Sequence, residues 1–329
     1  MSAPNCARKY DIARLSSLNF QISQYVYLSL ISLTFIFSYF AVKIVHQKSI
    51  FQLSTKILLF HNLVSANLHQ LLYLFSALRR LNLAYFYIDE PCVPLISEAD
   101  CLPYLKVLVT GISGMIYGQT GLLLERGCAT FIKDYDKKTS MFVGIAISIA
   151  ILFLSLITGK IIIWDDPLQG YLLSCVSYPS QSVERSRLFA SIYTFISSFN
   201  LVFSVLLRRY NKKLEYSTPF VVGPRFRKRE VIDSTSTICF LTFVQFIFMF
   251  IYSFGIFTLK TIRSMLTYRQ YYFIVVWFYT IPFIAALFPI LLVYRIRSSH
   301  VSRVTIIKTF TKTKQTQEEH IKQLKNVWN

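Results

Sequence analysis

Seven stretches of this 329-residue chain are apolar over twenty or more residues, the length of helix that crosses a bilayer. They cover 22–42, 57–78, 104–124, 141–163, 188–207, 238–259 and 271–294. A hydrocarbon core about 30 Å thick needs about 20 helical residues at a rise of about 1.5 Å each. Strands are excluded by pattern: a run such as ICFLTFVQFIFMFIYSFGIF has no period of two and is far longer than a spanning strand. The fold class read from the sequence is therefore all-α: a membrane bundle of seven transmembrane helices. The second stretch is the most polar, interrupted by His61, Asn62, Asn67, His69 and Gln70. Such groups must face other helices, because lipid offers no hydrogen bonds.

Charge supplies the orientation. The chain carries 35 Lys+Arg against 16 Asp+Glu, a formal +19. In a soluble protein that excess suggests nucleic acid; in a membrane protein it marks the loops that face the cytosol. The N-terminal segment and the loops 79–103, 164–187 and 260–270 hold 10 of the basic residues. The loops 43–56, 125–140 and 208–237, with the tail 295–329, hold 23. The bias predicts an extracellular N-terminus (1–21), a membrane domain (22–294) and a basic cytosolic tail (295–329). Nucleic acid is then not a partner, and the lipid bilayer is. Residues 1–21 show no short apolar region with a cleavage site, so the first span is expected to act as the insertion signal.

Four of six cysteines fall in segments assigned to the outside: Cys6, Cys92, Cys101 and Cys175. Disulfides persist on that side, and four cysteines allow three pairings. The preferred one is Cys101–Cys175, which would pin the second outside loop over the mouth of the bundle. A Cys6–Cys92 bridge stays open.

Gly111, Gly114, Gly118 and Gly121 all lie in the third span, spaced three, four and three apart on one face. Small residues let helix backbones approach closely in lipid, so the third helix is expected to be the crowded central one. At its inner end stands Glu125-Arg126. One reading is an interfacial ion pair; the other is a switch, with the arginine held by a carboxylate at rest and released on activation.

Seven spans, an outside N-terminus and a Glu-Arg pair ending the third helix resemble a G-protein-coupled receptor. The rhodopsin-like class places its disulfide cysteine 25 residues before that arginine, which is the separation of Cys101 from Arg126. Other marks of that class are missing: the second span has no Asp, the sixth lacks Cys-Trp-x-Pro, and the seventh lacks Asn-Pro-x-x-Tyr. The closer resemblance is to the nematode serpentine receptor class alpha chemoreceptors. It is carried by HNLVSANLHQLLYLFSALRRL, DEPC and YGQTGLLLERGCAT, together with Cys6 and SSLNF.

The resemblance implies a plasma-membrane receptor of sensory neurons, with a small-molecule chemical ligand and a heterotrimeric G protein as partners. It implies no enzymatic activity. Rhodopsin-like geometry would turn Leu108 and Ile112 toward the ligand. Phe248, Tyr252, Tyr272 and Trp277 are the aromatic candidates, favouring small apolar or cationic molecules. An amine-binding carboxylate would have to come from a loop, at Asp89, Glu90, Asp165 or Asp166. On the signalling side, the loop RRYNKKLEYSTPFVVGPRFRKREVID ends in Glu230 and Asp233, which share a helix face. One of them is expected to hold Arg126 at rest. Ser and Thr in the tail, from Ser298 to Thr316, offer phosphorylation sites for an arrestin-like partner. No cofactor or metal is expected, since His61 and His69 have no acidic or thiol companions at ligand spacing. The rival reading is a seven-helix ligand-gated chemosensory channel, which requires the N-terminus inside.

Overall fold

A computed structural model describes residues 9–47, 51–87, 95–132, 135, 137–179, 181–216 and 222–312. The helices are α1 (Lys9–Leu15), α2 (Leu18–Gln47), α3 (Leu53–Phe86), α4 (Glu98–Phe131), α5 (Lys137–Ile162), α6 (Ser182–Tyr216), α7 (Val222–Ile262), α8 (Tyr268–Phe278) and α9 (Ile281–Lys312). Two-residue strands β1 (Ile96–Ser97) and β2 (Tyr171–Leu172) pair antiparallel, Ile96 opposite Leu172.

Among the described residues, six helical segments are long and apolar enough to cross a membrane: 18–47, 98–131, 138–162, 182–214, 231–265 and 268–299. α3 spans 34 residues but is too polar along its middle to join them by composition. Its polar groups turn inward: Asn62, His69 and Gln70 are buried, while Val64, Leu71, Phe75 and Leu78 point out. That distribution suits a helix with lipid on one side and a bundle on the other.

The helices overrun the apolar stretches, α5 alone among them stopping one residue short at its end, Ile162. A helix ends where its backbone loses partners, not where its side chains turn polar. α4 sits at the centre, packed on α3, α5, α6 and α7, and 72% of its apolar window is buried against 22–50% for the other spans. Its glycines permit this. A Cβ on Gly111 would stand 3.1 Å from the His69 backbone nitrogen, and one on Gly118 would collide with the Asn62 amide. α3 therefore approaches α4 almost backbone to backbone, while Gly121 receives Ile147 and Ile151 of α5.

The sequence predicts one uninterrupted helix over 271–294; the structure breaks it at Tyr279 and Thr280, between α8 and α9. Pro282 has no N–H to give the Phe278 carbonyl, which accepts from the Thr280 N–H instead, at 2.9 Å. Carbonyls on either side of the break take side-chain donors from other helices. Tyr27 Oη donates to Val276 O at 2.5 Å, and Gln70 Nε2 donates to Pro282 O at 2.9 Å. This is how a broken helix survives at membrane depth.

At one end of the bundle a Cys101–Cys175 disulfide ties the α5–α6 loop to the start of α4, with Cα atoms 4.8 Å apart. The β1–β2 pairing supports it, and so does Glu98, whose buried carboxylate accepts from the Gly170 N–H at 3.0 Å. Cys6 and Cys92 lie outside the described residues.

Candidate functional site

The opposite end of the bundle holds a buried ion pair. Because α4 continues as helix to Phe131, Glu125 and Arg126 are drawn inside rather than left at a rim; they are 0% and 1% exposed. Arg126 grips the carboxylate with two nitrogens, Nε to Oε2 at 2.6 Å and Nη2 to Oε1 at 2.5 Å. Side chains at i and i+1 diverge on a helix. This pair closes because both members are drawn to donors and acceptors on other elements.

The first turn of α3 supplies most of them. Ser54 and Thr55 donate to the two Glu125 oxygens, Thr55 at 3.0 Å to Oε2. Arg126 Nη2 also donates to Thr55 Oγ1 at 2.5 Å and to Gln52 Oε1 at 3.2 Å. From the α4–α5 loop, Tyr135 Oη donates to Glu125 Oε1 at 3.1 Å. Burial and that carboxylate push the Tyr135 phenol up to about 12, so it stays a donor at neutral pH. Ser140 of α5 donates to Ser54 Oγ at 2.8 Å. From α7, Ser234 accepts from Arg126 Nη1 at 2.7 Å.

One carboxylate thus neutralises one guanidinium, and hydroxyl and amide groups fill their remaining hydrogen-bonding capacity. A buried charge pair is tolerated under that condition. The cluster contains no nucleophile poised for chemistry; it joins α3, α4, α5 and α7 at one point. On α7 the arginine's partner is Ser234, the residue after Asp233. Glu230 falls in the first turns of α7, outside the residues described at side-chain level.

The residues proposed from sequence for a ligand do not form one site. Ile112 and Tyr252 line a void between α4, α6 and α7, with Tyr178, Tyr193 and Met249, of about 20 Å³. That holds a single water. Tyr178 arrives from the disulfide-bonded loop, half-buried, its phenol pushed well above its ordinary value by desolvation. Leu108 is packed away among Leu105, Val109 and Ile162. Phe248 stacks on Phe283 with ring centroids 6.0 Å apart. Tyr272 and Trp277 lie elsewhere, in a cleft of about 970 Å³ bounded by α1, the start of α2 and α8. Because α8 is a separate helix ahead of the break, its aromatic residues face α1 and α2 rather than the bundle axis.

Asp166 is engaged by Arg185 Nη2 at 2.6 Å, and Asp89 and Glu90 lie outside the described residues. Among the described residues no three His, Cys, Asp or Glu side chains gather as a metal ion would require. His61 bonds Ser148 and His69 bonds Tyr279, each at 2.9 Å, so the two histidines serve separate helix contacts.

Residues 1–328 match the family model described as serpentine type 7TM GPCR chemoreceptor Sra. The chain belongs to the serpentine receptor class alpha family. Serpentine receptor class alpha-3 of Caenorhabditis elegans is 64% identical over 329 residues, covering 100% of both chains. Serpentine receptor class alpha-4 of the same organism is 61% identical over 328 residues, again covering 100% of both. Serpentine receptor class alpha-10 of Caenorhabditis briggsae is 32% identical over 323 residues, covering 98% of this chain and 97% of its own. Membership in this receptor family, with several apolar helices of spanning length, makes the chain a multi-pass membrane protein. The family is one of receptors, not of enzymes.

Proposed function

We propose that the chain is a seven-span chemosensory G-protein-coupled receptor of the plasma membrane, with its N-terminus outside and Arg126 at the cytosolic mouth. α3 is the seventh span, its buried polar face turned to α4. A small chemical ligand acts from the disulfide end; of the sequence candidates, Tyr272 and Trp277 line the open cleft there and Ile112 and Tyr252 the small void. At the other end the Glu125–Arg126 cluster is the resting lock, and a heterotrimeric G protein takes the place that α7 gives up when the lock opens.

The observation that carries this reading is the bond from Arg126 to Ser234. It is the leg by which the lock reaches α7; among the described residues, Arg126's other side-chain partners lie on α4, on α3 or at the N-cap of α3. A bistable device needs such a severable contact between an element that stays and one that moves. Glu230 and Asp233 precede Ser234 on α7; neutralising both tests their share in the resting state. The basic tail supplies phosphorylation sites for an arrestin-like partner.

A ligand screen in cells with a G-protein readout, with Arg126→Ala as the control, tests the proposal. A response that requires Arg126 supports it; a response needing neither Arg126 nor G protein overturns it. Epitope tags at the two termini, read on intact cells, separate it from a channel of inverted topology: only an accessible N-terminal tag fits the receptor.

A further inference from the structure

We propose that the cleft between α1, the start of α2 and α8 binds an anionic amphiphile: a carboxylate, sulfate or phosphate head on an apolar body. The receptor reading supplies the side from which such a ligand arrives, and the cleft's own residues supply its chemistry.

Size selects the place. The void beneath Tyr178 holds one water, whereas the cleft, at about 970 Å³, is at the upper end of the range for small-molecule sites. Its wall is built by Leu18, Phe20, Ile22, Tyr272, Phe273 and Trp277. The wall is braced rather than loose. Trp277 Nε1 donates to Asn19 Oδ1 at 3.1 Å, and Asn19 Nδ2 donates to the Phe273 carbonyl at 3.2 Å. A capping box of Thr267 and Gln270 starts α8, and sets Arg269, Tyr272 and Phe273 on one helix face.

Charge selects the ligand. Arg14 and Arg269 line the cleft, and no Asp or Glu does so among the described residues. Arg80 stands behind Phe20, its guanidinium 6.0 Å from that ring and 5.0 Å from Tyr73. Its Nε donates to the Ser76 carbonyl, but one terminal nitrogen is buried with no hydrogen-bond partner. Arg14, itself engaged elsewhere, lies 4.5 Å from the Tyr272 ring and 5.4 Å from that of Phe20. Phe20 and Tyr272 therefore already carry the protein's own cations over their rings. A cationic ligand finds repulsion where the aromatic lining alone would have offered attraction. An anionic head finds guanidinium donors instead.

Exposure selects the body. Leu18 is 71% exposed and Phe273 57%, so the lip of the cleft is apolar and open. In a multi-pass membrane protein such a lip faces acyl chains, and an amphiphile enters along the membrane plane with its tail on this lip. A free amphiphile and an anionic phospholipid share this chemistry, and the test must separate them.

The test uses the full chain in nanodiscs of phosphatidylcholine and a photoreactive diazirine analogue of palmitate. Labelling is expected within 13–22 and 268–277. Palmitate should compete at least about tenfold better than hexadecanol, and hexadecyltrimethylammonium should compete no better than hexadecanol. Arg269→Gln changes an exposed side chain and should weaken labelling severalfold while leaving thermal unfolding and the Cys101–Cys175 bridge intact. Arg80→Gln provides a second, more buried probe of the same field. Labelling elsewhere, equal competition by hexadecanol, or an unchanged Arg269→Gln variant would overturn the proposal. Repeating the experiment with phosphatidylglycerol in the disc distinguishes the sources: displacement of the probe identifies a bilayer lipid as occupant, and undiminished labelling identifies a free amphiphile. The readout involves no G protein, so loss of coupling would count against the receptor reading alone, and loss of labelling against the cleft alone.

Discussion

Replacing Ser234 by Ala cuts the leg by which the buried arginine reaches α7. The Arg126 Nη1–Ser234 Oγ bond is 2.7 Å long, and both residues are buried. A hydrogen bond to a charged group is worth about 1.5–3 kcal/mol, and the alanine leaves one guanidinium nitrogen unsatisfied in a site closed to water. If the bond exists only at rest, its loss raises the ratio of open to resting receptor about 10- to 150-fold. From an open population of about 1%, that gives about 10–60% open without ligand. The assay is ligand-free nucleotide exchange on a reconstituted heterotrimeric G protein, with the amount of folded receptor matched. Ser234→Thr, which keeps the hydroxyl, should stay near the starting activity. Exchange by Ser234→Ala at the unmodified level, with folded protein matched, would refute the assignment of this bond to the resting state alone.

Gly118→Leu drives a side chain into Asn62 at the α3–α4 contact and should cost about 1–3 kcal/mol, read as a lower unfolding temperature in detergent. Gly127→Ala is the matched control: its Cβ meets nothing within 4 Å, and the gain in helix propensity of up to about 1 kcal/mol should leave stability equal or higher. Cys175→Ser opens a link spanning 74 residues and should lower stability by up to about 4 kcal/mol, seen as loss of surface expression and of the reduction-sensitive gel shift. Tyr135→Phe removes one donor to Glu125 and should raise ligand-free exchange by less than Ser234→Ala does, because Ser54 and Thr55 still hold the carboxylate. The Tyr135 phenol is raised from 10 to about 12 in the folded chain, so its contribution is complete below about pH 10 and lost as pH rises toward 12. Stability measured from pH 6 to 9 should therefore not distinguish Tyr135→Phe from the parent by slope.

The apolar helices were legible because burial in lipid writes itself into composition over twenty residues at a time. The Cys101–Cys175 bridge was legible because only four cysteines fall in segments assigned to one side, with Cys101 just before the third span and Cys175 in the middle of the second outside loop. The crowding of the third helix was legible from its glycines: α4 is the most buried span. Of the partners of Arg126, its sequence neighbour Glu125 was legible as an ion-pair partner; the rest were not. The sequence directs attention to acids, Glu230 and Asp233, because charge is visible in a string of letters. The other observed partners, Gln52, Thr55 and Ser234, are neutral and common, and only the packing of α3 and α7 against α4 marks them out. Two hydroxyls at the start of α3, Ser54 and Thr55, are the faint signal that was available. The ligand candidates divided for a related reason. Tyr272 and Trp277 share a sequence segment with the seventh span, but the break at Tyr279–Thr280 rotates them away from Ile112 and Tyr252. Pro282 was visible in the sequence; which side chains would bond the carbonyls beside the break depended on tertiary neighbours such as Tyr27 and Gln70.

The central claim is that Arg126, once freed, is what a G protein reads. The most direct measurement places Arg126→Ala in the Ser234→Ala background and follows ligand-free nucleotide exchange on a panel of reconstituted heterotrimeric G proteins. The account predicts that the exchange gained by Ser234→Ala falls to the level of receptor-free vesicles when Arg126 is removed. Exchange that persists undiminished in the double variant would contradict it.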